Sequence, residues 1–137
     1  DLVLKYLETK GTSQMDLKTD STSWGNYINN AWNITNANSK YAPEGLRWTS
    51  GAYGAKASNE RILLSTGASD DFCKQGIYDL AGNVCEWTLE KTSESDYPCT
   101  NRGGFFSAYS TIVPAAYRGE GITAGCHDGL GFRLSLF

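Results

Sequence analysis

From Gly11 to Ser58 the chain shows almost no hydrophobic period of 2 or 3.6, and Ser, Thr, Asn, Gly and aromatic residues dominate it. A compact domain tolerates so long an irregular stretch only if large side chains fasten it to the interior. Trp24, Tyr27, Trp32, Tyr41, Trp48 and Tyr53 are spaced to do that, and the expectation is that all six are core anchors. The 137 residues suit one domain spanning 1–137, burying roughly 68–70% of the unfolded surface. With 40% hydrophobic and 20% charged residues, the chain is neither a disordered tail, a collagen repeat nor a coiled coil. No apolar run approaches the ~20 residues that span a bilayer, so no direct membrane insertion is expected of this stretch. A net charge of −3 argues against nucleic acid as a partner. Asp1 opens the chain without Met or a signal-peptide pattern, which reads as an excised or processed piece.

Local signals are short. Leu2 and Tyr6, and Val3 and Leu7, fall at i, i+4 and predict a helix over the first ten residues, with Gly11 as its C′ stop. A helical turn capped near Asp20 or Ser21 is expected next. Asn83 to Leu89 alternates, predicting a strand with Cys85, Trp87 and Leu89 on one face, entered through the turn Ala81-Gly82-Asn83. Ala115 to Arg118 suggests a further strand. In the closing run Gly131 to Phe137, Phe132, Leu134 and Leu136 share a face. Together these give an α+β class with short strands and long loops. Asn33-Ile34-Thr35 is a glycosylation sequon, relevant only in a eukaryotic secretory host.

Cys73, Cys85, Cys99 and Cys126 lack the short spacings of a zinc site, and His127 is the one histidine. Two uses stay open: disulfides, with Cys73–Cys85 as the expected pair in an exported protein, or four small buried hydrophobes. Cys126-His127-Asp128 does not make a nucleophilic triad, because sequence neighbours seldom converge in space.

The second half carries an ordered set: Ile77-Tyr78-Asp79-Leu80-Ala81-Gly82-Asn83-Val84-Cys85-Glu86-Trp87, then Asn101-Arg102-Gly103-Gly104, then Ala116-Tyr117-Arg118, then Gly131-Phe132-Arg133-Leu134. This set resembles the formylglycine-generating-enzyme-like family, closely over about residues 77–137 and loosely before. The resemblance implies a loop-rich α+β domain with a C-type lectin-like fold. Read as framework, the glycines at 82, 103, 104 and 131 suit positive φ or close backbone approach. Arg102, Arg118 and Arg133 sit among small or apolar residues and call for acceptors, with Glu86 the obvious acid.

The resemblance divides into two functions. Active enzymes of the family oxidise a substrate cysteine with copper held by two cysteines before the alanine-arginine strand. Aligned on Arg118, those positions hold Ser110 and Ala115 here, neither of which offers a thiolate. The iron-dependent relatives need several histidines. No nucleophile elbow, P-loop, dinucleotide or zinc-protease motif is present. The expectation is a chain that is not an enzyme and needs no catalytic cofactor. The resemblance also implies a calcium turn: Asp79 and Glu86 would give carboxylate oxygens, Gly82 and Val84 backbone carbonyls. The competing reading has Asp79 capping a turn and Glu86 pairing with an arginine. Cys85 stands where the family carries Trp.

The other branch, which this chain resembles more, comprises the variable proteins of diversity-generating retroelements of bacteria and phages, which display a binding surface near the C-terminus. Their adenine-directed mutagenesis of AAC-type codons cannot yield Lys, Gln, Met, Trp or Glu. From Phe105 to Leu130 only Glu120 lies outside that restriction. The variable ligand-binding region is expected at about 100–130. Phe105, Phe106, Tyr109 and Ile112 supply apolar area there, and Thr111, Glu120, Thr123, His127 and Asp128 supply polar contacts. For Phe105 and Phe106 a core role competes. The expected partner is a protein or glycan on a cell surface, and the expected setting is extracellular, on a bacterial surface or phage particle. The alternatives are a structural tip domain of a pilus-like or phage tail protein and, behind it, a formylglycine-type oxidase.

Overall fold

Side chains rather than long ladders hold this chain's short elements together. The structure is a computed structural model that describes residues 2–122 and 127–133. In order come helices α1 (Leu2–Thr9) and α2 (Gln14–Lys18) and a 3₁₀ turn (Thr22–Trp24). Strands β1 (Trp32–Ile34), β2 (Lys40–Pro43), β3 (Thr49–Ser50), β4 (Gly54–Lys56) and β5 (Ile62–Leu64) follow. After a second 3₁₀ turn (Asp70–Phe72) come β6 (Cys73–Lys74), β7 (Ile77–Tyr78), β8 (Cys85–Lys91), β9 (Cys99–Arg102), β10 (Arg118–Gly121) and β11 (Leu130–Gly131). The largest sheet has the order β10-β9-β8-β11, antiparallel except for β11 on β8. A second sheet runs β3-β2-β5, and β1-β4 and β6-β7 form pairs. The α+β class is as expected.

α1 ends as its sequence dictates. Gly11 takes φ +93°, its N–H reaches the Glu8 carbonyl, and the Thr12 N–H reaches the Leu7 carbonyl, which is a Schellman stop. Of the two predicted pairs, only Leu7 is buried, whereas Leu2, Val3 and Tyr6 face outward. α2 was not foreseen. Ser13 caps it by accepting from the Asp16 N–H at 3.0 Å, and Leu17 is its buried residue. At the 3₁₀ turn Ser21 holds the N-cap position without a side-chain cap bond, and the carboxylate of Asp20 before it accepts the Thr22 N–H at 2.9 Å.

Two clusters form the core. One gathers Leu7, Leu17, Trp24, Tyr27, Ala81, Val113 and Ala115; the other gathers Trp32, Ile34, Ile62, Leu64, Ala68 and Phe72. In the second, edge-to-face contacts join Trp32 to Tyr53 (5.5 Å) and Phe72 (6.3 Å), and Tyr41 to Tyr53 (4.9 Å). Five of the six expected anchors therefore serve. The sixth, Trp48, does not: its ring is 53% exposed. Within this core Lys56 is only 3% exposed; its ammonium donates to the carbonyls of Tyr27, Ile28 and Asn30 and lies 5.6 Å from the Trp32 ring centre. Three carbonyls and an indole face give this buried cation the partners it needs.

The clusters meet at two buried asparagines. Asn26 Nδ2 donates to the Ile62 carbonyl (2.8 Å) and to Asn83 Oδ1 (3.0 Å), while its Oδ1 accepts from Trp32 Nε1 (3.1 Å). Asn83 accepts from the Leu64 N–H (3.0 Å) and donates to the Leu64 carbonyl (2.9 Å). The two amides thus occupy the free edge of β5 as a neighbouring strand would. Gly82 is what lets them approach: at φ +70°, a Cβ there would lie 2.3 Å from the Asn26 carbonyl oxygen.

The strand predicted from Asn83 begins at Cys85 and bulges between Trp87 and Lys91. Within that irregularity Leu89 is fully exposed, so it does not share the buried face of Cys85. The strand expected at Ala115–Arg118 starts at Arg118. At the C-terminus Phe132 is 74% exposed, and Leu134 and Leu136 lie outside the described residues. The expected Cys73–Cys85 disulfide is absent: Cys73, Cys85 and Cys99 are free thiols, and Cys126 lies outside the described residues. Cys73 pairs in register with Tyr78, and Cys85 points inward to donate to the Gly103 carbonyl at 3.2 Å.

Candidate functional site

The segment after Arg102-Gly103-Gly104 is irregular but closely tied to the interior. Gly104 lies against Tyr27, where a Cβ would meet the ring at 2.3 Å. Phe106, Ala115 and Ala116 donate their N–H groups to Asn83 O (3.0 Å), Ser21 Oγ (2.9 Å) and Leu17 O (2.8 Å). Ser110 is fully buried. Its N–H donates to Asn29 Oδ1 (3.1 Å), and its hydroxyl bonds Asp20 (2.6 Å) and Thr22. The Ser110 bond first, then those from the Thr22 hydroxyl and N–H, hold the Asp20 carboxyl below the usual carboxylate range. Ser110 is thus wired inward, and Ala115 is buried.

Of the expected ligand-facing residues, Phe106 is corrected: at 1% exposure it is core. Phe105 is partly buried against the first cluster and touches His127 edge-on at 6.2 Å. Tyr109 is exposed, its hydroxyl 3.2 Å from Asn59 Oδ1. Thr111 is exposed beside Ile112, which borders a hollow of about 500 Å³ against α1 and α2. Glu120 is exposed on β10 and pairs with Arg118 at 3.2 Å. His127 and Asp128 are exposed; His127 Nδ1 accepts the Gly129 N–H (2.9 Å), with an Asp128 oxygen 3.2 Å from the same nitrogen. Thr123 lies outside the described residues. The exposed members among the described residues fall into four neighbourhoods, Tyr109 by Asn59, Thr111 and Ile112 by α1 and α2, Glu120 on β10, and His127 and Asp128 beside Phe105, rather than one patch.

The arginines find acids, but Glu86 serves only one. Arg133 binds both oxygens of Glu86 and donates to the Tyr78 carbonyl (2.9 Å). Arg102 and Arg118 each reach Glu90 at 2.9 Å. Sequence reasoning missed Glu90, whose alternation with Glu86 and Thr88 along β8 was the available signal.

The donors of the expected calcium turn do not fit the ion. Both oxygens of Glu86 face the Arg133 guanidinium. Asp79 gives one oxygen to the Gly67 N–H at 2.8 Å, and its other oxygen is buried without a hydrogen-bond donor. Ca²⁺ takes six to eight oxygens, and a fixed guanidinium on the principal carboxylate repels a dication. Asp79 is 4% exposed, and burial pushes its carboxyl up to about 6, against the pull of Gly67 and Arg133. The Cys85 thiol is likewise pushed up to about 12, by burial and then by Glu86, so it stays protonated and is no nucleophile.

A second concavity was not anticipated. Beside Asp128 lies a groove of about 590 Å³ with Trp48, Lys40, Thr66 and Leu63 on its walls. It adjoins a smaller cavity of about 350 Å³ that holds Asp79, Arg133 and Phe132. Trp48 stands between Arg47 and Thr49, the polar neighbours of a surface position rather than of a core anchor.

No curated protein and no solved structure matches this chain significantly. A family model does match: that of the sulfatase-modifying factor enzyme 1-like domain, over residues 10–136. The glycine-asparagine clamp beneath β5, the Gly104 contact with Tyr27 and the Arg133–Glu86 pair give the motifs of that match a physical role, and the chain belongs to the sulfatase-modifying factor enzyme 1-like domain family.

Proposed function

We propose that this domain is a non-enzymatic ligand-binding module with a C-type lectin-like framework, of the kind found in the variable proteins of diversity-generating retroelements. It presents Tyr109, Thr111, Ile112, His127 and Asp128, in separate neighbourhoods of its surface, to an extended protein or glycan on a cell surface. The proposed setting is extracellular, on a bacterial surface or a phage particle. The observation that carries the reading is Ser110. Where an oxidase of this family would hold copper, the hydroxyl is buried and committed to Asp20 and Thr22, and Ala115 offers no donor at all. The same inward bonds fix the backbone while leaving Tyr109 and Ile112 outside, which suits a loop whose outer side chains vary on a constant support.

Two tests address the reading. Aerobic incubation with copper and a cysteine-containing peptide is expected to yield no aldehyde, and any turnover would overturn the non-enzymatic part. In the genome, the codons for residues 100–137 are expected to recur nearby as a near-copy differing at template adenines, beside a reverse transcriptase. A locus without such a copy would contradict the retroelement part.

A further inference from the structure

The groove beside Asp128 carries an inference about ligand class. It rests on reading the domain as a binding module, but only Asp128 belongs to the proposed C-terminal surface. The two adjoining cavities, about 590 and 350 Å³, share Thr66, Asn83 and Val84 in their walls. An exposed aromatic ring stands in each: Trp48 in the larger, 53% exposed, and Phe132 in the smaller, 74% exposed. Neither ring has an aromatic or cation–π partner among the described residues. Polar groups of both signs lie beside Trp48. Among the described residues the Lys40 ammonium and the Thr66 hydroxyl have no hydrogen-bond or ion-pair partner, and the Asp128 carboxylate meets only His127. A purely apolar ligand would strip water from these groups without replacing its hydrogen bonds. A small anion would leave the rings unused.

A pyranose ring answers both demands, since it has an apolar C–H face to lie on an aromatic ring and a rim of hydroxyls that donate and accept. Two rings along one continuous groove suit consecutive sugars of a chain. We propose that the groove from Trp48 to Phe132 binds an oligosaccharide, with Trp48 and Phe132 as stacking platforms and Lys40, Thr66 and Asp128 as hydroxyl partners. Calcium takes no part, because contact comes from ring faces and side-chain donors.

The test is a titration of the whole domain with short chito-, cello-, malto- and manno-oligosaccharides and the matching methyl glycosides. It is followed by the Trp48 indole N–H resonance, in the presence and absence of EDTA. One of these series is expected to shift that resonance with millimolar affinity, more tightly as the chain lengthens, and equally with EDTA. Trp48→Ala and Phe132→Ala should each weaken binding about tenfold or more, and Asp128→Asn and Lys40→Met by less, with melting temperatures unchanged. No shift with any series overturns the proposal, as do affinity that does not rise with chain length, loss in EDTA, or binding that survives Trp48→Ala. A shift from short peptides in place of sugars overturns it too and assigns the groove to protein. Failure here leaves the proposed function standing, because Tyr109, Thr111 and Ile112 lie outside the groove; turnover with copper would remove that function without moving the indole resonance.

Discussion

The segment 105–116 is irregular and the hairpin arm 88–99 ends in an irregular tip at 92–98, yet the two are held in opposite ways. The first is fastened from beneath: Phe106, Ser110, Ala115 and Ala116 each send a backbone N–H into the body of the domain. The second leans on itself and on water-exposed charge. Thr92 bonds the Tyr97 carbonyl within the arm (2.6 Å), Leu89 and Tyr97 face solvent, and Glu90 anchors it to Arg102 and Arg118. Irregular backbone is therefore not loose backbone. What decides is whether its polar groups are satisfied by buried partners or by exposed ones.

Substitutions that cut each kind of support should separate the two regions. Asn83→Ala has the largest expected effect. It removes the amide bonded to Asn26 and to both backbone groups of Leu64, a loss of about 3–5 kcal/mol by urea unfolding. A value near that of a surface mutation would show that the clamp under the loop is dispensable.

Asp79, in the turn leading to that clamp, adds a pH signature. Its carboxyl is raised from the ordinary 3.8 to about 6 by burial, so the folded state holds more protons between those values. Its contribution is fully present below the ordinary value and is lost as pH rises through 6. Stability should fall by about 1–3 kcal/mol on going from pH ~4 to pH ~7 on this account. Asp79→Asn should flatten that slope, as denaturation at stepped pH would reveal, and an unchanged slope would assign it elsewhere.

Ser110→Ala comes next, at about 1–2 kcal/mol, because Asp20 keeps its bonds to Thr22. Amide exchange should rise across 108–112 while the hairpin arm is untouched. Glu90→Ala should have the smallest effect, below that of Ser110→Ala and diminishing with added salt, since its ion pairs are exposed. A salt-insensitive loss exceeding that of Ser110→Ala would reverse the comparison.

Much of the framework was legible because its signals are local. Gly11 stops α1, Gly82 admits Asn26, and Gly104 lies against Tyr27, so each glycine reports a constraint from its own backbone. The need of Arg133 for Glu86 was equally readable from charge among small residues. What remained hidden depends on distant chain. Alternation alone placed Leu89 beside Cys85, and only the pairing of β8 with β9 introduces the bulge that turns it out. Trp48 reads like the other five anchors until the fold leaves its ring uncovered. Phe106 and Tyr109 are both aromatic residues of one loop; one is core and the other surface because the loop turns inward at Ser110. The calcium set followed the family motif, but the sequence did not say that Arg133 would take both Glu86 oxygens.

The central claim is that a fixed interior supports a surface free to change. Saturation substitution at Tyr109, Thr111, Ile112 and His127, beside Asn83, Phe106 and Ser110, scored for folded protein on a display platform, tests it most directly. The account predicts that the first four positions accept nearly every residue while the last three accept few. Equal intolerance in both sets would contradict it.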